Sequence, residues 1–124
     1  MCSSDLLCIT DHHAVRGAAE LARRLPCRVV VGEEMRTHAG ELIGLFLTDG
    51  VPAGLSAVDT AQAIRNQGAI VYVPHPFDPM RRNIAEGALH ELAEAGLVDA
   101  VEVLNAKTSL SSLNRRAEIG RAHV

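Results

Sequence analysis

The stretch Ile9-Thr10-Asp11-His12-His13 presents an acid and two imidazoles directly after the short apolar run Leu7-Cys8-Ile9. A β-like run that breaks into Asp-His is how an α/β sheet delivers ligands to the carboxyl end of a strand. Two later breaks repeat the design. Val29-Val30-Val31 passes through Gly32 into Glu33-Glu34, and Ile70-Val71-Tyr72-Val73 passes through Pro74 into His75-Pro76. Three apolar strands are thus expected to end in hard or imidazole donors, Asp11/His12, Glu34 and His75, the outline of a polynuclear metal site. Singly, each has an ordinary reading: His12 as a capping or surface histidine, His75 as one packed in a turn. Their coincidence at three strand ends is what favours ligation.

The elements that must position these donors follow from hydrophobic period and punctuation. After His12 a helix carries Val15, Ala18, Ala22 and Leu25 on one face, and Pro26 stops it. Residues 27–31 are expected to form a strand buried on both faces, 41–47 a third, 69–73 a fourth and 98–104 a fifth. Ser56 with Asp59 resembles a capping box, opening a helix with Val58, Ala61 and Ile64 inward and Gly68 at its stop. Residues 75–83 read as a polar, kinked loop, 86–95 as a helix closed by Gly96, 105–112 as loop, and a last helix begins near Leu113. Strands alternating with helices predict right-handed βαβ units around a parallel sheet, and ligands at the strand ends suggest part of a (βα) barrel.

Composition bounds the rest. A chain of 124 residues with 48% hydrophobic content is one soluble domain at most, and 2% aromatic leaves Leu, Val, Ile and Ala to fill its core. A net charge of −3 gives no footprint for duplex nucleic acid. No apolar run reaches membrane-spanning length and no signal peptide opens the chain. Three cysteines without a Cys-x-x-Cys pair make a reducing cytoplasm the default, with Cys8 and Cys27 as small core residues. The two ends read as foreign. Written as GTG TGC TCT TCC GAT CTC, residues 1–6 have a reverse complement that translates as Glu-Ile-Gly-Arg-Ala-His, residues 118–123. The match resembles translated sequencing adapter, so 1–6 and 118–124 are expected to be non-native flanks of a natural stretch 7–117.

Ile-Thr-Asp-His at 9–12, Gly-Glu-Glu at 32–34, Tyr-Val-Pro-His-Pro at 72–76 and Val-Glu-Val-Leu-Asn at 101–105 resemble, in order and spacing, inner motifs of the PHP (polymerase and histidinol phosphatase) family. The resemblance covers 7–117, read as a partial PHP domain. It implies a distorted barrel of the TIM-like type in which two or three divalent ions hydrolyse phosphoesters. Small stand-alone members, among them nucleoside 3′,5′-bisphosphate phosphatases and 5′–3′ exoribonucleases, are the nearest look-alikes. Matched residue by residue, His12 and His75 become metal ligands and Glu34 a ligand able to bridge two ions. Imidazole and carboxylate without thiolate suit manganese, iron or zinc. Glu41 stands where many members carry a histidine; a carboxylate can replace it, and the ordinary reading is a solvated charge at a strand start. Asp11 is expected to orient a neighbouring ligand or cap the following helix, and His13 to support a ligand or face substrate. Arg81 and Arg82, in the loop leaving a ligand-bearing strand, suit a fork on a phosphate, with a solvated basic pair as the alternative. His38 and His90 read as surface residues.

The family's opening His-x-His strand and closing Asp-x-His have no counterpart at the corresponding places in this sequence. The expectation is therefore a metal-dependent phosphoesterase acting on a small phosphorylated substrate, nucleotide or short RNA, with this stretch alone inactive. A histidinol-phosphatase-like or polymerase-associated domain shares the chemistry; a non-catalytic PHP-like scaffold is the rival of a different class. A doubly wound nucleotide-binding domain lacks its Gly-rich loop.

Overall fold

The computed structural model describes residues 5–104 and Arg115. In chain order these form β1 (Leu6–His12), α1 (Arg16–Arg24), β2 (Arg28–Thr37), β3 (Gly40–Leu45), α2 (Ala57–Arg65), β4 (Ile70–Val73), α3 (Glu86–Glu94) and β5 (Ala100–Val101). The strands make one sheet in the order β1-β2-β3-β4-β5. Asn105, the expected loop after it and the helix expected near Leu113 lie outside the described residues, apart from helical Arg115.

The sheet is mixed, not parallel. β1–β2 and β4–β5 pair parallel, while β3 runs antiparallel to both β2 and β4. The reason lies in β2, which does not end at Gly32 but continues to Thr37 and turns back through His38 and Ala39. So short a connection makes a hairpin; a parallel crossover needs a dozen or more residues. Thr37 closes the turn, its Oγ1 donating to the Gly40 carbonyl at 2.7 Å and accepting from the Ala39 N–H at 3.1 Å. Gly32 reads as a breaker but serves close approach. A Cβ there would lie 2.8 Å from Thr10 Cγ2 and 2.9 Å from the Gly44 carbonyl, so only glycine lets the neighbouring strands come this near. Among the described residues the sheet stays open, with β1 and β5 at its edges, so the expected barrel is seen only as an open five-stranded sheet.

Register assigns the two faces. The row Glu33–Gly44–Val71 and the pair Met35–Leu42 point one way; the row Glu34–Ile43–Tyr72–Ala100 and the pair Arg36–Glu41 point the other. The first face carries the core, where Met35, Leu42, Val71 and Val73 pack with Ala57, Ala61 and Ile64 of α2 and Leu89 and Leu92 of α3. Ser56 caps α2 as its spacing predicts, accepting the Asp59 N–H at 3.0 Å, and Gly68 ends the helical segment at φ +73°. The second face carries Glu34 and Glu41 together with buried Ile43 and half-buried Tyr72.

The edge beside β1 departs from expectation. In α1 only Ala18 is fully buried, while Leu21 and Ala22 face solvent. Cys8 is exposed and Cys27 half-buried, so Cys8 is not a core residue. The helical period is present, but an edge strand supports the helix on one side only. No helix among the described residues is long and apolar enough to cross a membrane.

Candidate metal centre

The parallel register of β1 on β2 sets His12 directly beside Glu34. The hairpin then returns Glu41 to the same face, opposite Arg36. From β4 the chain passes through Pro74 to His75, which is 5% exposed. His12 Nε2 lies 3.3 Å from Glu34 Oε2, and His75 Nε2 lies 3.4 Å from Glu34 Oε1 and 3.5 Å from Glu41 Oε2. Donor atoms of His12, Glu34 and Glu41 all fall within 4.8 Å of one another, a group that could hold a metal ion. Each oxygen of Glu34 faces a different imidazole, the arrangement a bridging carboxylate needs.

These residues fit a divalent cation better than they fit one another. A charge-assisted N–H···O pair closes to about 2.7–2.9 Å, and all three contacts here are longer. Glu41 is 6% exposed and Glu34 half-buried, so two carboxylates share a low-dielectric space that favours a compensating cation. His75 Nδ1 is buried without a hydrogen-bond partner, so the ring is incompletely satisfied by the protein. The hydrogen bond from His75 is the largest influence on Glu34. Together with the charges of His12, His75 and Arg81 it holds the carboxyl below its ordinary value, against the opposing effect of burial.

His75 is held from behind. Its backbone has φ +29°, in the left-handed region, and its N–H donates to Glu102 Oε2 at 2.6 Å. Glu102 is itself placed by β5, where its N–H bonds the Val73 carbonyl at 2.9 Å. Tyr72, two residues before Pro74 and on the same sheet face as Glu34, has its hydroxyl pushed up to about 12 by burial and by the charge and hydrogen bond of Glu102.

Of the other residues singled out from sequence, Asp11 accepts the His12 N–H on Oδ1 at 2.8 Å, and α1 has no side-chain N-cap. His13 is exposed at φ +51° and stands outside the donor group. The arginine pair divides. Arg81 is half-buried, 3.8 Å from Asp78 Oδ2, with its charge felt at Glu34. Arg82 is exposed and lines a cleft of about 240 Å³ with Arg36, Thr37, His38, Ala39, Gly40, Glu41 and Asn83. Glu33, adjacent to Glu34, is 3% exposed on the core side, where its Oε2 accepts the Val51 N–H at 3.1 Å. Sequence reasoning gave no role to Arg36 or Glu102. The available signals were an arginine two residues beyond Glu34 in a strand and an acid inside an apolar one.

No family model matches the chain. Two uncharacterized proteins of Methanocaldococcus jannaschii are similar in sequence: MJ1587, 37% identical over 105 residues (82% of this chain, 58% of that protein), and MJ0417, 41% identical over 90 residues (71% and 38%). The chain thus spans about half the length of these relatives. Two solved structures share its fold. One, from Bifidobacterium adolescentis, is assigned as a metal-dependent phosphoesterase and superposes with a TM-score of 0.74 at 12% identity, over 98% of this chain and 74% of that one. The other, from Bacteroides vulgatus, is a two-domain protein containing a region assigned as a PHP-like metal-dependent phosphoesterase. Its TM-score is 0.61 at 22% identity, over 80% of this chain and 35% of that one. The chain therefore has the mixed α/β fold of proteins assigned to PHP-like, metal-dependent phosphoester hydrolysis.

Proposed function

We propose that this chain is part of a cytoplasmic, metal-dependent phosphoesterase of the PHP type, acting on a small phosphorylated substrate, a nucleotide or a short RNA. The observation that carries the reading is the convergence of His12, Glu34, Glu41 and His75 at 3.3–3.5 Å on the sheet face not used for the core. The fold it shares with proteins assigned that activity supports it.

His12, Glu34, Glu41 and His75 would hold two or three manganese, iron or zinc ions. Ions held there supply Lewis-acid polarisation of the phosphoryl oxygens and activation of water. The chain's own residues do the rest. Glu34, whose carboxyl is held below its ordinary value first by the hydrogen bond of His75, would offer its carboxylate to the ions. Arg81, half-buried in the loop that follows His75, would neutralise charge on phosphoryl oxygens. Asp11 accepts the His12 N–H, and exposed His13 would face the substrate.

The test is elemental analysis and phosphoesterase assay of the full-length protein with His12→Ala, Glu34→Ala or His75→Ala. Each is expected to lower bound metal and abolish turnover. Full metal occupancy in all three variants would overturn the assignment.

A further inference from the structure

We infer that Arg36 determines which cations the donor group accepts: it occupies one oxygen of Glu41 and so turns the site away from calcium, toward smaller ions that bind imidazole. This role rests on the metal-centre reading above and adds to it which ion the site refuses.

The carboxylates of Glu34 and Glu41 offer four oxygens. Glu34 Oε2 faces His12 Nε2 at 3.3 Å, Glu34 Oε1 faces His75 Nε2 at 3.4 Å, and Glu41 Oε2 faces His75 Nε2 at 3.5 Å. The fourth, Glu41 Oε1, stands 3.5 Å from Arg36 Nε. Three oxygens are thus met by imidazoles and one by a guanidinium. Glu41 is buried, so an oxygen released by Arg36 would need another partner.

Backbone geometry places the pair. Arg36 on β2 and Glu41 on β3 are direct cross-strand partners, on the face that carries Glu34. Such partners in an antiparallel ladder stand about 4.5–5.5 Å apart at Cβ. Neighbouring loops hold both: the Glu41 N–H donates to the Arg82 carbonyl at 2.9 Å, and the Arg36 carbonyl accepts the Gly54 N–H at 3.2 Å. Among the described residues Arg36 pairs with no carboxylate but Glu41. Its side chain is about half exposed, so solvent screens much of its charge. What remains particular to Arg36 is the oxygen it occupies.

That oxygen separates two kinds of cation. Calcium gathers about six to eight oxygen ligands and often takes a carboxylate by both of its oxygens. Zinc is satisfied by about four donors and accepts imidazole readily. With Oε1 committed to Arg36, Glu41 offers a cation one oxygen beside the imidazoles of His12 and His75, a set that suits zinc or manganese. Without Arg36 the same glutamate can chelate through both oxygens, as calcium prefers.

The experiment measures zinc and calcium affinity by chelator competition in the full-length protein and in Arg36→Gln, Arg36→Met and Arg36→Ala. Loss of the positive charge acts alike on two ions of equal charge and cancels in the ratio of their dissociation constants; loss of the contact at Oε1 does not. Gln carries its Nε2 the same number of bonds from the backbone as the arginine Nε, so it keeps a donor there without the charge. Wild type and Arg36→Gln are expected to share one ratio. In Arg36→Met and Arg36→Ala the preference for zinc over calcium should fall about tenfold or more, the lower end of what loss of a partner behind a ligand brings. Urea unfolding checks that each variant folds, and either truncation suffices. An unchanged ratio in the truncations overturns the role of Arg36 while the metal centre stands, and so does an equal fall in Arg36→Gln. Wild-type protein that binds calcium as tightly as zinc overturns it with no variant needed. If the wild type binds neither ion, the metal-centre reading fails and the role of Arg36 falls with it.

Discussion

Glu102 acts on the donor group through the His75 backbone, and its removal should weaken metal binding. Its Oε2 accepts the His75 N–H at 2.6 Å, and that residue holds φ +29°. A residue kept in a sparsely populated backbone region costs about 1–3 kcal/mol and persists only where its surroundings over-determine it. A hydrogen bond to a charged acceptor contributes about 1.5–3 kcal/mol, which is of the size needed to hold His75 there. In Glu102→Ala the N–H of a buried residue loses its acceptor, and the backbone is free to relax toward negative φ, carrying Nε2 away from Glu34 and Glu41. Losing a group that orients a ligand typically lowers metal affinity about 10–100-fold, or about 1.4–2.8 kcal/mol at about 1.4 kcal/mol per factor of ten. The two estimates agree. Glu102→Gln keeps an oxygen acceptor and should recover part of the loss, whereas a purely packing role would not distinguish Gln from Ala by metal affinity. The assay is competition for manganese or zinc against a chelator of known affinity, with urea unfolding as the control for stability. Wild-type metal affinity in Glu102→Ala would refute the reasoning, and so would equal losses in the Ala and Gln variants.

Tyr72 is the sole tyrosine and there is no tryptophan, so the tyrosinate absorbance of the chain reports this one residue. Its hydroxyl is raised from 10.0 to about 12, by burial first and then by Glu102; the raised value means that the neutral form is favoured in the fold. The associated stability should be complete below about pH 10 and lost as pH rises through about 12. A folded-state titration centred near 10 would contradict this. Gly40→Ala should destabilise the chain by about 2–5 kcal/mol, from a left-handed backbone together with overpacking. At φ +129° its new Cβ would meet Asn83 and Ile84 backbone atoms at 2.3–2.6 Å. An unchanged urea midpoint would show that the hairpin does not rest on the 82–85 segment as described.

How far the sequence reached depends on whether a residue's role is set by its own chemistry or by register. His12, Glu34 and His75 could be singled out because imidazole and carboxylate after apolar runs announce themselves wherever a strand ends, and Glu41 because it stands where the resembled family carries a histidine. The α2 cap was legible because Ser56 and Asp59 act within one turn. Arg36 and Glu102 were not, since one matters through its partner across a hairpin and the other through a strand paired from the far side of α3. The antiparallel β3 was in principle readable, because residues 32–40 are too few for a crossover, but Gly32 masked the continuation of β2. The adjacent glutamates carry the sharpest case. Side chains alternate along a strand, so a one-residue slip would exchange Glu33 and Glu34 between core and donor group. What decides between them is Met35, fully buried opposite Leu42. An apolar residue that must face the core takes Glu33 with it two positions back, and Glu34 is then compelled onto the other face beside His12. The carboxylate that stands beside His12 is thus selected less by its own chemistry than by the methionine that follows it.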